Sequence, residues 1–250
     1  MAQAEVLETA QGRRLAYHKS EGTGPTIVFL GGLKSDMEGT KAVHLEAWAR
    51  ARRQAFLRFD YSGHGESSHT FEETCIGDWH QDTLAVIDTL TEGPIVPVGS
   101  SMGGWQALLL ARARPERIAG LVTIAAAPDF TEDGYWAGFS DAQKEALDTH
   151  GQIELPSDYM EPYIITKRLI EDGRDHLVLR ADLPLPFPVR CLQGTADTAV
   201  STETALRLLD HATCDDMRLL LVKDADHRFS DGPCLGLIEQ AVLEVLGDAA

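Results

Sequence analysis

The sequence predicts an α/β fold built on a mostly parallel sheet. Three observations lead there. Short runs rich in β-branched and aromatic residues alternate with longer runs of helical period from about residue 26 onward. Several of the short runs, such as residues 26–30 and 95–98, are nearly continuous apolar stretches, as expected of strands covered on both faces. One of them runs straight into Gly99-Ser100-Ser101-Met102-Gly103, and a helix-forming run, residues 105–112, follows at once.

Taken in order, residues 13–19 suit an early antiparallel strand, and 26–30 a strand buried on both sides. Residues 41–53 read as a helix and 55–59 as the next strand. A long helix is expected over about 74–90, because Ile76, Trp79, Thr83, Val86, Ile87 and Leu90 recur at helical spacing and form one core-facing stripe. Residues 95–98 and 121–124 are further strands, 189–192 and 217–222 the last two, and a final helix covers about 234–246. Between 128 and 186 the rhythm breaks for longer than an ordinary loop allows. Ser140-Asp141-Ala142-Gln143 is a capping box, and a second helix is expected from near Pro162 to Gly173 by the Pro-start, Gly-end asymmetry. The domain reading is therefore a core of residues 1–127 and 187–250 carrying an inserted helical lid, 128–186. Tyr135, Trp136, Phe139, Tyr159, Met160 and Tyr163 are its candidates for lining a pocket.

Composition narrows the function classes. At 250 residues the chain can bury a full core as one domain. A formal net charge of -17 argues against nucleic acid, whose phosphates call for Lys and Arg, and against anionic lipid surfaces. No apolar run approaches the ~20 residues that span a bilayer. The first residues carry neither the features of a secretory signal nor an Arg-rich transit segment, so the expected location is cytoplasmic. Cys75, Cys191, Cys214 and Cys234 are scattered without any C-x-x-C, which reads as reduced thiols rather than a disulfide framework or zinc site.

The chemistry is carried by G-x-S-x-G between strand and helix. A strand that turns sharply into a helix at a serine makes a nucleophile elbow, and glycines at 99 and 103 let the two elements approach. Ser100 lacks glycine at both required offsets, so Ser101 is the candidate nucleophile. A hydroxyl needs a base, and the base an orienting acid, in the chain order Ser, Asp or Glu, His. His227 follows the last strand and is the candidate base; Asp197 follows the penultimate strand and is the candidate acid, with Asp224 and Asp226 as rivals close to His227. The amides of Met102, next to the serine, and of Leu33, in the loop after strand 26–30, are the candidate oxyanion donors. The turn Asp60-Tyr61-Ser62-Gly63-His64-Gly65-Glu66-Ser67 reads as a buttress for that loop rather than as a site for a catalytic His64. Neither a P-loop nor an opening G-x-G-x-x-G is present, so no phosphate cradle is expected.

Together, the elbow, Asp197, His227 and the 60–67 turn resemble the α/β-hydrolase superfamily over nearly the whole chain from about Thr26. The segments Gly31-Gly32-Leu33-Lys34-Ser35-Asp36-Met37-Glu38-Gly39-Thr40-Lys41-Ala42, Arg58-Phe59-Asp60-Tyr61-Ser62-Gly63, Gly99-Ser100-Ser101-Met102-Gly103-Gly104-Trp105 and Asp226-His227-Arg228 are similar to the branch of α/β-hydrolase domain-containing protein ten. That resemblance implies a mostly parallel eight-stranded sheet flanked by helices with a small helical lid. It implies Ser101, Asp197 and His227 as a triad, and hydrolysis of esters or thioesters, palmitoyl-cysteine and acyl glucuronides among them, with no cofactor or metal. Animal members of the branch are mitochondrial; the absence of a transit segment here is more like a bacterial relative. A perhydrolase or C–C bond hydrolase on the same fold, or a non-catalytic binding protein, are the competing readings. The substrate is expected to be a small molecule or an acylated protein.

Overall fold

A computed structural model describes residues 3–156 and 162–247. The chain runs β1 (Glu5–Glu8), β2 (Arg14–Ser20), β3 (Thr23–Leu30), α1 (Thr40–Ala51), β4 (Gln54–Phe59), α2 (Ile76–Leu90), β5 (Ile95–Ser100), α3 (Met102–Ala113) and β6 (Leu121–Ile124). It continues with α4 (Asp141–His150), β7 (Gln152–Leu155), β8 (Tyr163–Thr166), α5 (Lys167–Asp175), β9 (Leu183–Pro184), β10 (Val189–Gly194), α6 (Thr202–His211), β11 (Ala212–Thr213), β12 (Met217–Val222) and α7 (Gly232–Leu246).

Eight strands form the central sheet, in the order β1-β2-β4-β3-β5-β6-β10-β12. Only β1 and β2 run antiparallel to their neighbours; from β4 to β12 every pairing is parallel. The parallel strands therefore end together, and the loops that follow β3, β5, β6, β10 and β12 open on one side of the sheet.

Period-two alternation sends neighbouring residues of a strand to opposite faces. In β3, Ile27 and Phe29 join the apolar cluster under α1 and α7, while Val28 and Leu30 join the cluster under α2 and α3. All four are buried, which is why the run is apolar rather than alternating. The α2 stripe packs as its spacing predicts, with Ile76, Trp79, Thr83, Val86 and Ile87 buried.

The 128–186 segment departs from the sequence expectation. A π-helical stretch, Thr131–Trp136, comes first and was not expected; the helix after Ser140 is as read, with Ser140 accepting from the Gln143 amide, Gln143 reaching back, and Gly151 closing α4 at φ 77°. The second helix does not start near Pro162. Tyr163-Ile164-Ile165-Thr166 is β-branched and aromatic, and it pairs antiparallel with β7, Ile153 against Ile165. Thr166 then caps α5 by accepting from the Leu169 amide at 3.1 Å. Gly173 is not a terminator but lies inside α5, because a Cβ there would sit 2.2 Å from Thr131 Oγ1. The inner residues of the segment, among them Phe139, Leu147, Ile165 and Leu169, belong to the same apolar cluster as α2 and α3. Tyr159 and Met160 lie outside the described residues. No helix among the described residues is long and apolar enough to cross a membrane.

Candidate active site

The turn from β5 into α3 is tight enough to dictate its residues. Ser101 stands at φ 56°, ψ -119°, a conformation that costs a non-glycine residue about 1–3 kcal/mol. It is held there by hydrogen bonds to β6 and beyond: the Ser101 amide donates to Ile124 O at 2.9 Å, and its carbonyl accepts from Gly104 at 2.9 Å and Ala127 at 3.0 Å. A Cβ on Gly99 would meet the Gly103 carbonyl oxygen at 2.2 Å, and one on Gly103 would meet Leu30 O at 2.0 Å. Both glycines are steric requirements of strand, turn and helix meeting at one point.

Three side chains from three loops converge beside this turn. His227 Nε2 lies 3.0 Å from Ser101 Oγ, and His227 Nδ1 lies 2.8 Å from Asp197 Oδ2. Asp197 is tied down further: its Oδ1 accepts from the amides of Ala199 and Val200, each at 2.8 Å, and Oδ2 accepts from Gln193 Nε2 at 3.0 Å. Burial alone raises a carboxyl pKa, but here the His227 and Val200 bonds and the His227 charge outweigh it and hold Asp197 below the usual carboxylate value. The rivals do not take this place: His227 Nδ1 is bonded to Asp197, and Asp226 Oδ1 accepts from the Phe229 amide at 3.1 Å. Ser100 ends β5 and is buried.

Leu33 and Met102 also line this region. Gly32 brings its loop to the elbow, since a Cβ on it would touch Ser101 Cβ and Ser100 O at 3.4 Å. Met102 opens α3, so its N–H has no partner within the helix. Asp60 holds the Leu33 loop from behind: one carboxylate oxygen accepts from the Met37 amide at 2.6 Å, the other from Glu66 at 2.9 Å. His64, behind the same turn, is buried against Tyr61, Phe71 and Trp79, and burial pushes its pKa down to about 4.

Above Ser101 lies a cavity of about 580 Å³. Its floor includes Gly32, Leu33, Ser101, Met102 and His227, and its apolar wall is Phe130, Tyr135, Leu155, Tyr163 and Val200. Trp136 and Phe139 are not part of it: Trp136 stacks with Lys144 and Arg174, and Phe139 packs inward. Sequence reasoning did not reach Gln193 or Lys41. Gln193, at the end of β10, positions Asp197; its one signal is its place at the C-terminal end of a parallel strand. Lys41, from the first turn of α1, donates from Nζ to the carbonyl oxygen of Arg228 and so braces the loop that carries His227. Burial lowers the Lys41 pKa to about 8, with the Asp226 carboxylate working against it. What such an arrangement can do is draw the proton from a serine hydroxyl through an imidazole held by a carboxylate, next to amides that can receive an oxyanion.

The chain and its fold are similar to those of known proteins. The chain is 37% identical to the mouse mitochondrial palmitoyl-protein thioesterase ABHD10 over 232 residues, 92% of this chain and 78% of the relative. The structure superposes on mouse alpha/beta hydrolase domain-containing protein 10 with a TM-score of 0.91 at 32% identity, covering 98% of this chain and 99% of that one. It superposes on a protein from Agrobacterium vitis S4 with a TM-score of 0.93 at 35% identity, covering 98% of both. The model of the alpha/beta hydrolase family matches residues 27–239, from the strand before the Leu33 loop to the helix after His227, and the chain belongs to that family.

Proposed function

We propose that this hydrolase is a serine esterase or thioesterase that works through an acyl-enzyme, with Ser101 as nucleophile, His227 as general base and then general acid, and Asp197 as the group that orients and stabilises the imidazolium. The observation that carries the reading is His227 bonded at both ring nitrogens, to Ser101 Oγ at 3.0 Å and to Asp197 Oδ2 at 2.8 Å, at the floor of a cavity. Ser101 Oγ attacks the acyl carbon while its proton passes to His227 Nε2. The developing oxyanion is received by the Leu33 and Met102 N–H groups. His227 gives the proton to the departing thiol or alcohol. It then takes one from water, whose oxygen attacks the acyl carbon, and returns it to Ser101 Oγ as the acyl bond breaks and the acid is released.

The acyl chain lies along Phe130, Tyr135, Leu155, Tyr163 and Val200, whose apolar surface favours burying methylenes at about 0.8 kcal/mol each. This fits long-chain acyl thioesters such as palmitoyl-cysteine, the substrate class in the name of the mouse relative, and the acyl part of acyl glucuronides. The 128–186 segment acts as the lid that supplies most of that wall. The cytoplasmic location belongs to the same proposal, although the relatives are named as mitochondrial; fractionation of the source cells decides it.

The test is labelling by a fluorophosphonate probe, read by mass spectrometry of the modified peptide. Labelling at Ser101 in the intact protein, lost on prior heat unfolding, is the expected outcome; a folded protein that stays unlabelled, or is labelled elsewhere, defeats the reading. A series of p-nitrophenyl esters and acyl thioesters of rising chain length then measures the depth of the apolar wall.

A further inference from the structure

Lys34 stands where a glycine is the usual choice. The Ser35 amide donates to Gly32 O at 3.1 Å, so Leu33 and Lys34 are the two central residues of one tight turn. Lys34 takes φ 54° there. The third position of a turn at positive φ ordinarily carries glycine or asparagine, because a Cβ crowds the neighbouring carbonyl. A lysine in that place bears a cost that glycine does not, and its side chain is where a compensating contact is to be sought.

That side chain leads to two aromatic rings. The ammonium nitrogen lies 5.0 Å from the centre of the Phe71 ring and 5.4 Å from the centre of the Tyr163 ring. Both fall within the ~6 Å over which a ring attracts a cation. The two rings belong to different parts of the molecule. Phe71 is buried in the core, stacked on Trp79 at 5.7 Å and set edge-on to His64. Tyr163 opens β8 in the 128–186 segment and is half-buried. It stands opposite Leu155 of β7, and both residues line the cavity. His64, the titratable group on the core side, does not repel the ammonium at neutral pH: burial, with the Lys34 charge adding to it, pushes its pKa down to about 4.

One residue thus joins the two walls of the cavity. Its backbone is continuous with Leu33 on the floor, and its ammonium rests against Tyr163 of the acyl wall. We propose that Lys34 is a positioning residue that couples occupancy of the acyl wall to the setting of the Leu33 amide, a proposal that rests on the esterase or thioesterase reading above. An acyl chain long enough to lie on Tyr163 holds that ring in place. The ring holds the ammonium, and the ammonium holds the turn that carries the Leu33 N–H. Long acyl chains then raise kcat as well as lowering KM. Burial of methylenes alone does not do this, since a chain held equally in ground state and transition state changes KM only. An oxyanion forms in both acylation and deacylation, so kcat reports the amide whichever step is slower.

The experiment measures kcat and KM for p-nitrophenyl esters of rising acyl length on the native chain, Lys34→Met, Lys34→Arg, Tyr163→Leu and the double variant Lys34→Met/Tyr163→Leu, with a thermal melt of each. In the native chain kcat is expected to rise about fivefold or more once the acyl group reaches Tyr163. Lys34→Met abolishes that rise while KM still falls with chain length. Lys34→Arg, which keeps a cation on the rings, keeps the rise. Tyr163→Leu leaves an apolar wall without the ring and loses the rise, and the double variant loses no more of it than either single change. A native kcat independent of chain length, a rise that survives Lys34→Met, or one that Lys34→Arg fails to keep each overturns the coupling and leaves the esterase reading standing. A native chain that hydrolyses none of the esters and takes no fluorophosphonate defeats that reading itself, and the coupling falls with it.

Discussion

The cavity over Ser101 has two kinds of wall, and they are built by different physics. The wall from the sheet side, Gly32, Leu33, Ser101 and Met102, is set by backbone approach: a strained turn at Ser101, and glycines at 99 and 103 where a Cβ would collide within 2.2 Å. The wall from the 128–186 segment, Phe130, Tyr135, Leu155 and Tyr163, is set by side-chain packing on a base anchored at some distance. That base is fixed by Asp129, which is fully buried and accepts from the amides of Val178 and Leu179 and from Arg180. Positions set by backbone geometry tolerate almost no substitution, whereas positions set by packing exchange one apolar volume for another. In the proposed mechanism the first wall governs whether a reaction occurs, and the second governs which molecule reaches it.

This contrast can be tested from its largest effect downward. Ser101→Ala removes the proposed attacking oxygen while keeping the turn, and turnover of a p-nitrophenyl ester is expected to fall by about four or more orders of magnitude with an unchanged circular dichroism spectrum. Leu33→Pro deletes one amide donor and is expected to lower kcat about a hundred- to thousandfold. Leu33→Ala keeps the amide and should lower kcat little, and a large loss there would show that the side chain rather than the backbone matters. Tyr135→Ala acts on the other wall. It should leave kcat for the shortest ester near its native value and move the chain-length optimum toward longer acyl groups, with kcat/KM for the original optimum down about tenfold.

The smallest effect concerns pH and stability. Burial lowers the pKa values of both His64 and His80 to about 4. Between the unfolded value near 6.5 and about 4, the unfolded chain binds protons that the folded one does not, so stability falls as pH drops through that window. Asp197 acts in the same direction over a lower window: its depressed folded pKa contributes stability that is present above the ordinary carboxylate value and is lost as pH falls through the folded value. His64→Phe and His80→Gln together should therefore flatten the decline of Tm between pH 6.5 and 4 by a few degrees, leaving the steeper loss at lower pH in place. An unchanged Tm profile would mean that other groups govern the acid side.

How much was legible in the sequence follows the same division. The strands around the elbow could be read because burial on both faces writes a continuous apolar run, and α2 because one buried face writes a helical stripe. Ser101, His227 and Asp197 could be singled out because parallel strands end on one side, so chain order limits which loops can meet. The 128–186 segment misled for local reasons. Pro162 resembles a helix start, yet Tyr163-Ile164-Ile165-Thr166 finds a partner in β7, and Gly173 resembles a helix end, yet it is glycine because Thr131 packs against it. Lys41 left no trace and Gln193 only its place at a strand end, since a single polar residue at a strand or helix end has no periodicity to betray it.

By itself, then, the sequence determined the order of elements, the layers of the sheet and the identities of the three converging side chains, because these depend on local period and on the handed, parallel connection of strands. Only the tertiary structure decided which carbonyl Lys41 holds, where the 128–186 segment pairs as strand rather than helix, and which edge of the sheet is left open. Those are contacts between residues far apart in the chain, and their outcome rests on distances that no local pattern encodes.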